Sequence, residues 1–208
     1  MPRAVVALVC LLVLGGAAAP AEEEIVGAFN GYRQALSVSD GGSAAPFISE
    51  RTFQHYGEMV RLTLHGSRAD LENAAFIDRF MILRVRAHYD TADLQRMTGR
   101  DLFIQAVDNG WVGSNLAQVQ LGRIDVLGTR ARGQVVVNDQ QANFGFNFFY
   151  EQDAWKLDVT PAPWMNASML AVAERMGMSE TDFIDHALKT LGYGRGLTPE
   201  LWAPPAPD

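Results

Sequence analysis

Along residues 22–109 the apolar positions recur every three or four residues; beyond Trp111 they alternate with polar ones. The first period predicts helices and the second strands. Ile25, Phe29, Tyr32 and Leu36 make one stripe, with Glu22–Glu24 suited to the positive end of the helix and Asp40-Gly41-Gly42 ending it. A helix from about Glu50 to Leu64 carries Phe53, Tyr56, Val60 and Leu64, with Ser49 as N-cap and Gly66 as stop. A third, from about Leu71 to His88, is apolar over a broad arc and is expected near the centre. Thr98 caps a fourth, Gly99 to Asp108.

Leu116 to Val126 reads as a strand whose apolar phase flips beside Gly122, with Val119 and Leu121 on one face and Ile124 and Val126 on the other. A flip next to a glycine predicts a bulge that bends the strand. Further strands are expected at Gln134–Asn138, Asn143–Glu151 and Trp155–Val159, joined by short turns into an antiparallel meander. Pro161 and Pro163 stop the sheet. Helices follow at about Trp164–Met176 and Glu180–Leu191, Ser179 capping the second, before a Pro-rich tail over 196–208.

The order of helices, bent sheet, aromatic strand and closing Phe148-Phe149-Tyr150-Glu151-Gln152-Asp153-Ala154-Trp155-Lys156-Leu157-Asp158-Val159 resembles the nuclear transport factor 2-like superfamily, whose relatives include SnoaL-like proteins and ketosteroid isomerases. The resemblance covers roughly residues 22–160. It implies an α+β fold in which a curved antiparallel sheet wraps helices into a cone with an apolar pocket. Residues 161–195 would be a C-terminal helical extension.

The N-terminus adds an address. Arg3 precedes an uncharged run of about 13 residues, Ala4 to Gly16, too short for the roughly 20 that span a bilayer, and Ala19-Pro20-Ala21 fits a signal peptidase. Residues 1–21 are therefore read as a bacterial-type signal peptide, and the protein as periplasmic or secreted. Cys10, the only cysteine, would leave with the signal, which removes disulfides, thiol chemistry and cysteine-bound metals from consideration. Arg3 is the only charged residue in that segment, so its removal takes the formal net charge from −7 to −8. An acidic chain without a basic run argues against nucleic-acid binding. No later stretch is apolar enough to be an integral membrane segment.

The aromatic residues Tyr32, Phe53, Tyr56, Phe80, Phe146, Phe148 and Trp155 are the pocket candidates, although plain core is the better reading of them, because aromatic stripes mostly pack. Trp111 and Trp164 bracket the sheet and are expected at its mouth. Asp125 and Asp158 alternate with apolar neighbours and so read as solvent-facing. His88, Asp90 and Asp93 have only weak metal-like spacing, and no metal or other cofactor is expected. Arg79, Arg84 and Arg86 fit a wet helix edge. Asn166-Ala167-Ser168 matches a glycosylation acceptor, relevant only in a eukaryotic secretory path.

No catalytic set emerges from these residues. The leading reading is a non-catalytic exported protein that uses the cone for a small apolar ligand, a lipid included, or for a protein partner. The alternative is a lyase or isomerase with a carboxylate or histidine base in the pocket. A third is an interaction module that dimerises through the open sheet. Whether a titratable side chain points into the cavity beside a hydroxyl or cation separates the first two.

Overall fold

The computed structural model describes residues 18–113, 116–190 and 196–206. Most of the predicted signal lies outside them; its last four residues form the first turn of α1 (Ala18–Ser37), so the helix runs through the predicted cleavage motif. The remaining helices among the described residues are α2 (Gly41–Ala44), α3 (Glu50–His65), α4 (Arg68–Asn73), α5 (Phe76–His88), α6 (Thr91–Arg96), α7 (Gly99–Asp108), α8 (Pro163–Arg175) and α9 (Glu180–Thr190). The strands are β1 (Val119–Leu127), β2 (Arg130–Val137), β3 (Gln140–Glu151) and β4 (Ala154–Asp158). They form one open antiparallel sheet in the order β1-β2-β3-β4. The α+β class and the meander agree with the sequence reading.

The bulge is where the phase flip put it. Leu121 pairs with Val135 and Ile124 with Gly133, so one extra residue sits in β1 at Gly122-Arg123. Its effect on the faces is the opposite of that expected. Val119, Leu121, Ile124 and Val126 are all buried or half-buried while their neighbours are exposed. The extra residue restores the phase, and all four point to one side. β2 begins earlier than its Val135-Val136-Val137 run suggested, because its inward positions there are Ala131 and Gly133. A Cβ on Gly133 would crowd the Phe148 ring. The hairpins β2–β3 and β3–β4 turn through Asn138-Asp139 and Gln152-Asp153, all four with positive φ, as two-residue turns matched to strand twist require.

One break was not anticipated. The long helix expected from Leu71 to His88 is two, α4 and α5. Ser67 and Asp70 form a reciprocal capping box that starts α4 early. The start of α5 has no cap of its own; Asn166 of α8 supplies one, its Oδ1 accepting from the Ile77 N–H at 2.9 Å. α6 was missed, although Asp90 caps it by accepting from the Asp93 N–H at 2.8 Å. Asp90 and Asp93 are thus occupied by a helix cap and, for Asp93, by Arg96.

The arginines of α5 correct the wet-edge reading. Arg86 is only 9% exposed, and it donates to the carbonyls of Leu62, Thr63 and Gly66 at the end of α3 and to Leu201. It satisfies the orphan carbonyls of a helix C-terminus. Burial pulls its pKa down to about 10, which leaves it cationic at neutral pH. Arg84 is buried over the Trp111 ring at 4.4 Å, and Arg79 pairs with Glu180 at the start of α9. The tail is docked as well: Pro199–Trp202 makes a 3-10 turn, with Trp202 buried beneath Arg68.

The core lies between the sheet and α1, α3, α5 and α7. Gly99 lets α7 cross α3 closely, since a Cβ there would overlap the Phe53 carbonyl and the Gly57 backbone. That crossing sets Phe103 edge-on to Tyr56 at 5.5 Å and fixes where Tyr56 points.

Candidate functional site

A cavity of about 460 Å³ opens between the inner face of the sheet and the helices, a size that suits a small organic ligand. α1 contributes Tyr32, α3 Tyr56 and Met59, and α5 Ile77, Asp78 and Met81. The sheet adds Val119, Val135 and Phe146. The segment from Asp158 to Met165, which leaves β4 and enters α8, closes the wall. There Trp164 stacks on Phe144 with ring centroids 4.0 Å apart. The capping bond from Asn166 holds this turn of α8 against α5. With its side chain occupied in that bond, Asn166 belongs to a helix–helix contact.

Most of the lining is apolar, so its polar groups stand out. Tyr32 is 2% exposed and Tyr56 5%. Among the described residues no hydrogen-bond partner is found for either hydroxyl. Burial raises both phenols well above the ordinary tyrosine range, with Asp78 adding to the effect on Tyr56 and Tyr56 to that on Tyr32. Both therefore keep their protons at any ordinary pH and can donate as well as accept. Thr160 Oγ1, on the same wall, is also buried without a partner. Buried polar atoms are normally satisfied, and Thr160 Oγ1 is such an atom left without a partner among the described residues; together with the two phenols on the same wall it favours a ligand that pairs with them.

Two carboxylates reach the wall. Asp78 Oδ1 lies 3.0 Å from His55 Nε2, both side chains being about four-fifths buried. Asp158 Oδ1 accepts from Thr52 Oγ1 at 3.2 Å and from the Thr160 N–H at 3.0 Å. Its Oδ2 is 3.5 Å from Arg51 Nε. The solvent-facing expectation for Asp158 is thus overturned, its side chain being only 8% exposed. β4 ends at Asp158, so strand alternation stops there and the carboxylate turns toward α3. Asp125 is exposed as expected and pairs with Arg123. No Lys, Arg or His belongs to the described lining.

Of the seven aromatic candidates, Tyr32, Tyr56 and Phe146 line the cavity. The other four do not. Phe148 is fully buried in the core, and Trp155 packs edge-on to Tyr150. Phe53 packs against Phe103 and under Arg100. Phe80 lies beside Arg84. Trp164 reaches the wall, but Trp111 packs between Arg84 and His88, one residue before the lining begins at Val112. The sequence reading missed Asp78 and Thr160. Asp78 is the only acidic residue of α5, a signal that the sequence did contain; nothing local marked Thr160.

Comparison with known proteins yields no significant match to a protein-family model, a curated protein or a solved structure.

Proposed function

We propose that this is an exported binding protein of nuclear transport factor 2-like, cone-shaped architecture, which holds a small apolar ligand between sheet and helices. The observation that carries the reading is the apolar cavity with the unpartnered Tyr32 and Tyr56 hydroxyls inside it. The order of helices before a bulged meander supports the architecture, and the N-terminal charge–apolar–small pattern supports export. Native mass spectrometry of protein purified from its own host tests the function. A small-molecule adduct is expected, weakened when Tyr32 and Tyr56 are both replaced by Phe. Protein that is ligand-free from its host and takes up nothing from a lipophilic extract would end the proposal.

The His55–Asp78 pair favours a second reading, a lyase or isomerase in which Asp78, oriented by His55, takes a proton from the ligand. Such a base would wash deuterium from D2O into an acidic C–H of the bound molecule. NMR of the recovered ligand would show it, and absence of exchange in the wild-type protein would reject the enzyme.

A further inference from the structure

The charge distribution around the cavity narrows the class of ligand. Taking the cavity as a ligand site, as proposed above, we infer that its occupant is a lipophilic amine bound as the ammonium ion. The described lining contains two carboxylates, Asp78 and Asp158, and no basic side chain. Neither acid is saturated. Asp78 uses Oδ1 for His55, and its Oδ2 has no partner among the described residues. Asp158 uses Oδ1 twice, while Oδ2 faces Arg51 at a distance long for a hydrogen bond. An ionised carboxylate offers about four lone-pair sites, so both retain acceptor capacity.

The rest of the wall suits a cation too. Tyr32, Tyr56 and Phe146 line the cavity with aromatic rings, whose faces attract an ammonium group placed over them. The two phenol oxygens and Thr160 Oγ1 are acceptors without a donor among the described residues. The apolar remainder, including Met59, Met81 and Val135, accommodates a hydrocarbon body. A carboxylic acid or phosphate would instead be placed beside two carboxylates, offset only by Arg51 and His55 behind them, an unfavourable arrangement. Fatty acids and phospholipid headgroups are therefore poor occupants. The overall charge of −7 also steers cations toward the protein.

Calorimetric titration of the purified chain with decylamine, decanol and decanoic acid at neutral pH is the test, since the three share one hydrocarbon chain. Decylamine should bind about tenfold or more tighter than decanol, the scale of one charge-assisted hydrogen bond, and decanoate should not bind measurably. Asp78→Asn and Asp158→Asn together should bring decylamine down to the affinity of decanol and leave decanol unchanged. Decanol binding as tightly as decylamine overturns the inference but leaves the cavity a ligand site. Decanoate binding comparable to decylamine overturns it equally. A decylamine preference that survives both Asp78→Asn and Asp158→Asn arises at the acidic surface and also overturns it. If none of the three binds, both the inference and the binding function fall.

Discussion

Two stretches of the same strand, β3, show how one pattern gives two outcomes. Phe146 and Phe148 point to the same side of the sheet. At Phe148 the facing residues meet it: Leu157 is its cross-strand partner, Gly133 leaves room for its ring, and all exposure is lost. Two residues earlier, Phe146 touches Phe29 at 5.6 Å on one side and borders a void of about 460 Å³ on the other. Tyr32, Tyr56 and Asp78 line the same cavity. An inward-facing position is a necessary condition for core. Whether it becomes core or cavity depends on the lengths of the side chains opposite it.

Substitution should separate the two positions. Phe148→Ala is expected to cost about 3–5 kcal/mol, because its neighbours are fixed on all sides. Phe146→Ala should cost about half as much, since part of its surface already faces space. Urea denaturation measures both; equal losses would mean that the cavity is collapsed in solution. Arg86→Met belongs with the packed end. It removes the donor to four carbonyls and should cost about 3 kcal/mol by the same measurement.

Tyr56→Phe and Tyr32→Phe should have the opposite signature. Each deletes a hydroxyl that has no partner among the described residues, so stability should stay within about 1 kcal/mol of wild type or rise slightly. Ligand affinity should fall about tenfold for each. A large loss of stability would reveal a structural partner for the hydroxyl and weaken the case for the cavity. The smallest effect concerns the surface caps. Hydrogen bonds from Ser67 to Asp70 and from Thr98 to Asp101 hold both carboxyls below the usual range. A carboxyl whose folded pKa is depressed stabilises the protein above its unfolded value, about 3.9, and that stability is lost as pH falls through the folded value. The urea midpoint should therefore drop below about pH 4, and less steeply in Asp101→Asn.

Local physics made much of this fold legible. Ser49, Thr98 and Ser179 cap helices where they were expected to, because capping is a contact within three residues. The bulge at Gly122 followed from a phase flip visible in nine residues, although its consequence for the faces was reversed. What the sequence concealed is tertiary. The break before α5 depends on Asn166, 89 positions away. Arg84 and Arg86 have the look of a polar edge until their partners on other elements are known. Three of seven aromatic candidates line the cavity because periodicity reports which way a side chain points, and a void is a property of the side chains that face it. Asp158 escaped the alternation rule by being the last residue of its strand.

Methyl NMR of methionine-labelled protein tests the central claim most directly. Met59, Met81 and Met165 line the cavity, while Met176 is exposed at the end of α8 and serves as an internal control. On addition of the ligand recovered from the host, or of decylamine, the methyl signals of Met59, Met81 and Met165 should shift together and saturably, with Met176 unmoved. Shifts confined to Met176, or none at the three lining residues despite measurable binding, would place the ligand elsewhere and contradict the account.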